Sequence, residues 1–257
     1  MTATQEAPPI SPDITVKPVN RRPKRPAPFP LSLYSSAVGK KWVMALTGIG
    51  LMGFVAAHMV GNFKMYLGPE AIDAYSESLR SLLHPILPDF WVLWIMRVGL
   101  IGMFLLHFHA AYSLTMMNRR ARPVRYQSKR DYIAANFASR TMRWSGIIIL
   151  AFLVIHLANL TWGWFPSDVV HREEFVPVYD NIVASLSKPW LAAIYIVAQL
   201  ALAVHLFHGA WSLFQSLGVN NPRFNGARRG FAIAFAAIVC GVNISFPIAV
   251  LTGVVGN

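Results

Sequence analysis

Apolar stretches long enough to cross a lipid bilayer constrain this chain more than any other feature of its sequence. A transmembrane helix needs about 20 mostly apolar residues. Five stretches meet that requirement, at roughly 42–63, 91–117, 143–164, 190–216 and 231–253. Lipid offers no partner to a free backbone N–H or C=O, so each stretch must be helical. With 55% hydrophobic and 13% charged residues, the sequence predicts an all-α integral membrane protein, a bundle of five transmembrane helices within residues 33–257.

The net charge of +12 is explained by membrane topology, so we expect no nucleic-acid partner. Eighteen of the 23 Lys and Arg residues precede the first span or lie in or beside the second and fourth loops, whereas the first and third loops hold eight of the eleven acidic residues. Lys and Arg are enriched on the cytoplasmic side, which predicts a cytoplasmic N-terminus and a C-terminus outside. Residues 1–32 are rich in Pro, carry basic residues and lack signal-peptide features. They are predicted to form a disordered cytoplasmic lead.

Four successive spans each carry a histidine inside the apolar layer. An ionisable side chain at that depth is costly and indicates a functional site by default. At a rise of about 1.5 Å per residue, His58 and His156 lie roughly 20 to 24 Å from the cytoplasmic ends of their spans, and His107 and His205 roughly 15 to 16 Å from theirs. The sequence therefore predicts an outer pair, His58 with His156, and an inner pair, His107 with His205.

Two histidines that face each other across a helix bundle can hold a six-coordinate haem, which favours one-electron transfer. Each pair is therefore predicted to ligate one haem, giving two haems stacked across the membrane. The alternative is a set of core histidines hydrogen-bonded between helices, which explains one histidine better than four paired in depth. The single cysteine, Cys240, excludes a disulfide within the chain and is expected to be a small buried hydrophobic residue.

Two further histidines lie close to the predicted ligands. His109 follows His107 by two residues and His208 follows His205 by three, so each could replace its neighbour as a ligand. They could instead contact a haem propionate or a quinone, or bond a carbonyl.

Four cations are predicted to contact haem propionates. Arg97 lies inside the second span, and no span holds an acidic residue to pair with it, so we expect it to bind a propionate of the outer haem. Arg143 and Lys41, together with Lys40, could serve the inner haem from the cytoplasmic edge. Alternatively, these side chains reach the lipid headgroups.

Several short segments have a distinctive combination of residues. They are Ser35 to Lys41 (SSAVGKK), His58 with Gly61-Asn62, Gly68-Pro69-Glu70, Asn118 to Pro123 (NRRARP), Ala138 to Met142 (ASRTM) and His205 to Ser212 (HLFHGAWS). Together they resemble the five-helix dihaem cytochrome b subunit that anchors bacterial succinate dehydrogenases and fumarate reductases. The resemblance runs from about residue 33 to the end of the sequence.

The resemblance implies the membrane subunit of a succinate:quinone oxidoreductase, respiratory complex II of the tricarboxylic acid cycle, in the bacterial cytoplasmic (inner) membrane. An iron-sulfur subunit would dock on its cytoplasmic face and hold a flavoprotein subunit, on which succinate is oxidised. Electrons would pass through the inner and outer haems, both haem b, to menaquinone or another quinone. The family's ligand pattern falls on the same four histidines as the depth argument. A quinone site toward the outer face is implied, with Arg97, Glu70 and His84 as candidates, and a higher oligomer is possible.

Two other functions fit part of the sequence. The cytochrome b of a formate dehydrogenase or hydrogenase would keep the haems and change the soluble partner, but the segments around Gly39 and His208 argue against it. A haem-free transporter should show broken helices and polar residues clustered near the midplane, whereas the polar residues here are mostly single histidines.

Overall fold

The computed structural model describes residues 28–121, 137–166, 168–169, 176–219 and 221–256, with side chains of the second range described from residue 141. The predicted lead lies outside these residues up to position 27. The described residues form α-helices α1 (Leu31–Ser35), α2 (Ala37–Asn62), α3 (Pro69–Arg80), α4 (Trp91–Arg120), α5 (Phe137–His156), α6 (Val178–Leu186), α7 (Pro189–Ser216) and α8 (Asn225–Leu251). Short helical turns extend three of them: Phe63–Leu67 after α2, a wider π-turn at Leu157–Thr161 after α5, and Pro222–Phe224 before α8.

Within the described residues, five helical segments are long and apolar enough to cross a membrane, which confirms the predicted all-α membrane architecture. They are Ala37–Leu67, Trp91–Arg120, Thr141–Thr161, Pro189–Ser216 and Pro222–Leu251. The first and fifth segments begin earlier than the apolar patterns at 42 and 231 indicate. Charged residues marked the ends of the apolar patterns, but the helices include those residues.

Local hydrogen bonds explain the early start of α2. The Ser36 hydroxyl accepts from the Gly39 N–H at 2.9 Å and so caps the helix. Lys40 is buried, and its ammonium donates to the Tyr34 and Ser35 carbonyls at 2.7 and 3.1 Å. Because this charge is satisfied by backbone oxygens, it does not have to lie beyond the helix.

The early start of the fifth segment has a similar cause. Pro222 occupies its first turn, and the Asn221 side chain accepts from the Arg223 N–H at 2.9 Å. The buried Arg228 lies over the Trp211 ring at 5.8 Å and donates to the Val219 carbonyl. Its guanidinium therefore connects the start of α8 to the end of α7.

The spans pack as two antiparallel pairs with one added helix. Contacts are most extensive between α2 and α4, between α5 and α7, and between α7 and α8. Cys240 on α8 is buried against Leu206 on α7, together with Ala236 and Val239. The predicted role of Cys240 as a small buried hydrophobic residue is confirmed. Many large apolar side chains of α4, among them Ile95, Leu105 and Phe108, are exposed, as expected of a helix that contacts lipid.

Two short amphipathic helices, α3 and α6, cover one end of the bundle. They contact each other and enclose a core with the end of α8, including Met65, Ile72, Leu186 and Phe246. The Asp73 carboxylate on α3 accepts from the Tyr179 N–H at 3.1 Å and satisfies a free donor at the start of α6. We call this end of the bundle the α3/α6 end; it is the side predicted to face outward.

Candidate functional site

The structure brings together the two histidine pairs that the depth argument gave. Toward the α3/α6 end, the ring centroids of His58 on α2 and His156 on α5 lie 5.9 Å apart with planes at 87°. Deeper in the bundle, the centroids of His107 on α4 and His205 on α7 lie 6.5 Å apart with planes at 58°. Each pair joins one helix of the α2/α4 pair to one helix of the α5/α7 pair.

Hydrogen bonds fix the tautomer of His107. Its Nδ1 lies 3.1 Å from the Met44 carbonyl oxygen and 3.2 Å from the Thr47 hydroxyl. A carbonyl can only accept, and the threonine proton is donated to the Val43 carbonyl at 2.6 Å. Nδ1 therefore carries the proton, which leaves the Nε2 lone pair free for a ligand.

His205 is held in an equivalent way. Its Nδ1 lies 3.3 Å from the Ser145 hydroxyl, which donates its own proton to the Met142 carbonyl at 3.0 Å. The serine oxygen can then accept only from a protonated Nδ1. The Nε2 atoms of both members of the pair are thus the free coordinating atoms.

Glycines lie beside both rings of this deeper pair. A Cβ added at Gly48 would lie 3.5 Å from Cε1 of His107, and one added at Gly146 would lie 3.6 Å from Cε1 of His205. Both are ordinary contact distances, so a methyl group fits but a larger side chain would reach the space beside the ring. The two glycines keep the flanks of these imidazoles open.

His156 is held by a chain of buried polar groups. Its Nδ1 lies 3.2 Å from the Tyr195 hydroxyl, which lies 2.8 Å from the side-chain oxygen of Asn159. The Asn159 amide donates to the Phe165 carbonyl at 2.7 Å and to the Ser185 hydroxyl at 2.9 Å. Because this orientation makes the amide oxygen the acceptor from Tyr195, the tyrosine oxygen accepts from Nδ1–H of His156.

His58 differs from the other three histidines. Its ring stacks on Phe54 at 5.4 Å with planes at 16°, and within the described residues it forms no hydrogen bond. Phe152 packs against His156 at 5.7 Å. Aromatic packing is therefore common to both members of this pair, whereas only His156 has a hydrogen-bonded anchor.

The residues that hold the histidines recur along the sequence at a fixed offset. The four histidines are each 49 positions apart, so the second pair of spans repeats the first at an offset of 98. Four of these residues have a counterpart at that offset: Met44 corresponds to Met142, Thr47 to Ser145, Gly48 to Gly146 and Phe54 to Phe152. The sequence argument missed these residues, and the equal spacing is the signal that would have found them. It does not find Tyr195, which corresponds to Arg97.

Three of the four predicted propionate-binding cations lie at exposed positions. Arg97 is exposed, and its guanidinium lies over the Trp94 ring at 5.1 Å. Arg143 and Lys41 are also exposed, whereas the adjacent Lys40 is buried on backbone carbonyls. The propionate contacts of all four cations stay predictions.

The neighbouring histidines are not the ones that face each other. His109 is exposed, and its Nδ1 lies 2.6 Å from the hydroxyl of Tyr34, with the two rings stacked. Burial raises the pKa of the Tyr34 hydroxyl above its ordinary value. His208 is half-buried on α7, three residues from His205.

Two of the residues predicted as quinone-site candidates are exposed. Glu70 is exposed, and His84 forms an exposed pair with Asp89 at 3.3 Å.

Comparison with known proteins identifies the family. Residues 115–244, just over half of the chain, match the family model described as the succinate dehydrogenase/fumarate reductase transmembrane subunit. The matched region includes His156 and His205, and the sequence before it carries His58 and His107 at the repeat offset. Comparisons with curated proteins and with solved structures found no match. The chain is a multi-pass membrane protein that belongs to the family of transmembrane subunits of succinate dehydrogenase and fumarate reductase.

Proposed function

We propose that this subunit is a dihaem cytochrome b that passes electrons from an iron-sulfur partner subunit to menaquinone or another quinone in the bacterial cytoplasmic membrane. His58 and His156 would hold the outer haem, and His107 and His205 the inner one. The flavoprotein subunit of the same complex would carry out succinate oxidation or fumarate reduction. Family membership supports the complex, and the geometry of the histidines supports the haems.

The distance between paired rings is the observation that carries this proposal. If two imidazoles held one iron between them, metal–nitrogen bonds of about 2.0 Å and centroid-to-nitrogen distances of about 1.2 Å would place their ring centroids roughly 6.4 Å apart. The observed separations are 5.9 and 6.5 Å. Hydrogen-bonded core histidines would instead bring ring nitrogens of a pair within about 3.2 Å of each other, and neither pair forms such a bond in the described residues.

The assigned tautomers provide independent support. Histidines that bind metal through one nitrogen usually donate the other N–H to a carbonyl, carboxylate or other fixed acceptor. His107, His156 and His205 follow this pattern through Nδ1. Their Nε2 lone pairs are the remaining coordinating atoms, and the opposite member of each pair lies across the same gap.

Two haems at these depths would supply one-electron transfer across most of the apolar layer. Gly48, which lies beside His107, and His58 are ten residues apart on α2, about 15 Å at the helical rise. The basic ends of the spans, with Lys40, Lys41 and Arg119, are nearer the deeper pair. By the enrichment of Lys and Arg on the cytoplasmic side, that pair would be the one nearer the iron-sulfur partner.

The test is a haem count on the purified complex by the pyridine-haemochrome spectrum, with single His→Ala variants. We expect two b haems per chain in the wild type and one after replacement of any of His58, His107, His156 or His205. His84→Ala is the matched control, because this exposed loop histidine should leave both haems in place. An unchanged haem count in all four ligand variants would refute the assignment.

Partner and direction of flow are tested on the same preparation. Succinate added to the intact complex should reduce the b haems, and a menaquinone analogue should reoxidise them. Haems that respond to dithionite but never to succinate would exclude the proposed path from the iron-sulfur subunit.

A further inference from the structure

The hydrogen-bond chain behind His156 is the least expected feature of the site. It runs from His156 on α5 through Tyr195 on α7 to Asn159 in the π-turn, and from there to Ser185 on α6. Asn159 and Ser185 are fully buried. The chain therefore connects one histidine inside the membrane span with a short helix that covers the end of the bundle.

Each hydrogen bond in this network has a defined donor and a defined acceptor. The Asn159 amide nitrogen is used by two acceptors, the Phe165 carbonyl and the Ser185 hydroxyl. Its oxygen must then face Tyr195, whose hydroxyl donates to it at 2.8 Å. The tyrosine oxygen is left as an acceptor, and His156 is the side chain that donates to it. The amide thus orients the tyrosine, and the tyrosine orients the imidazole.

The π-turn at Leu157–Thr161 is the backbone feature that positions the amide. The N–H of Trp162 donates to the Leu157 carbonyl at 2.8 Å, and the N–H of Trp164 donates to the Ala158 carbonyl at 2.8 Å. Such turns occur mostly as single insertions in α-helices and are frequent at functional sites. Here the turn directly follows His156 and contains Asn159.

Aromatic packing holds the tyrosine ring independently of its hydroxyl. The Phe152 ring lies 4.9 Å from the Tyr195 ring in an edge-on arrangement and 5.7 Å from His156. Removal of the hydroxyl alone should therefore leave the ring in place. The hydrogen bond to His156 can be deleted without a change in the packing around it.

We infer that the Tyr195 hydroxyl, oriented by Asn159 and Ser185, is a positioning group for His156 that sets how strongly this imidazole donates to haem iron. The inference rests on the proposed haem ligation. An acceptor on Nδ1–H raises the basicity of Nε2, which favours the oxidised iron and lowers the reduction potential. His58, stacked on Phe54 with no such acceptor in the described residues, has no equivalent device, so the tuning acts through one ligand of the outer pair.

The test is a potentiometric titration of both haems in the intact complex carrying Tyr195→Phe. We expect one haem, the one lost in His156→Ala, to shift to a higher reduction potential. At a fixed potential, its oxidised-to-reduced ratio should change three- to tenfold, and a tenfold change corresponds to about 59 mV for one electron. The other haem should not shift. Tyr66→Phe is the matched control, because its hydroxyl bonds Ser245 at 2.7 Å, near the same end, and contacts neither pair.

A second variant tests the far end of the chain. Ser185→Ala keeps the tyrosine and removes one of the two acceptors of the Asn159 amide. It should shift the same haem in the same direction by a smaller factor. No shift in S185A would overturn the role assigned beyond Tyr195.

The outcomes separate this inference from the function on which it rests. A wild-type complex without haem would overturn both. Two haems in the wild type, with both potentials unchanged in Y195F, would overturn the positioning role alone. A fall in potential, or an equal shift in Y66F, would overturn it as well, because a general loosening of this end would then explain the data.

Discussion

Asn159 is predicted to be one of the most stabilising polar side chains in the described part of the chain. It is fully buried and forms three side-chain hydrogen bonds, to Phe165, Ser185 and Tyr195. Replacement with Ala removes all three and leaves a buried serine hydroxyl with a lost partner. Each bond contributes about 1 kcal/mol in soluble proteins and about 0.6 kcal/mol on average between membrane helices. The expected loss of unfolding free energy is therefore about 2 to 3 kcal/mol.

The single cysteine provides the assay. Cys240 is 2% exposed and lies on α8, outside the Asn159 network. A thiol-reactive fluorophore will therefore label it only when the bundle opens, and the temperature of labelling reports global unfolding in detergent. At about 2 to 4 °C per kcal/mol for a chain of this size, Asn159→Ala should lower the transition by roughly 4 to 12 °C.

Asn243→Ala is the matched control. Asn243 is a half-buried asparagine on α8 whose amide donates to the Val239 carbonyl of its own helix at 2.9 Å. That carbonyl keeps its place in the helix when the side chain is removed, so a loss of at most about 1 kcal/mol is expected. A shift in N159A no larger than that in N243A would refute the claim that the network bears on stability.

Two further predictions follow from particular contacts. Gly146→Leu should remove one of two haems from the purified complex, because the added isobutyl group extends toward His205 from a Cβ only 3.6 Å from its ring. Gly146→Ala should keep both haems. Equal haem contents in the two variants would contradict this account. Asp73→Ala should destabilise the protein by about 0.5 to 2 kcal/mol, because Tyr179 loses the acceptor that caps α6. The cysteine-labelling temperature measures this, and Asp73→Asn, which keeps a side-chain oxygen, should recover most of the loss.

The transmembrane architecture could be predicted because bilayer thickness and helical rise leave few solutions for long apolar stretches. The helix ends could not be. Lys40 and Arg228 indicate loop ends in a hydropathy pattern, yet each is buried inside a helix with its charge on backbone oxygens. The short helices α3 and α6 were also outside the reach of a search for spans, since their stability comes from packing against each other and α8.

The histidine pairs could be predicted for a related reason. Depth along a helix follows from residue number alone, so His107 could be matched with His205 before any side chain was placed. The exposure of a single side chain depends on rotation about the helix axis, which depth does not give, so the sequence places Arg97 within a span but does not show that its side chain is exposed. Which group accepts each Nδ1 proton also depends on how the helices are rotated. The network of Tyr195 depends in addition on a π-turn, whose position no simple sequence period predicts.

The repeat explains why the two halves hold their outer histidines differently. Gly61 in the first half corresponds to Asn159 in the second at the offset of 98. A Cβ at Gly61 would lie 2.7 Å from the Tyr75 ring of α3, so the absence of a side chain lets that helix pack closely on α2. Asn159 meets α6 at the equivalent place through its bond to Ser185. One position thus attaches the covering helix in both halves, by close packing in one and by a hydrogen bond in the other. In the second half, the hydrogen bonds continue from Asn159 to His156, whereas the packing contact of Gly61 in the first half does not involve His58. The two outer histidines are therefore held differently although the two halves correspond in sequence.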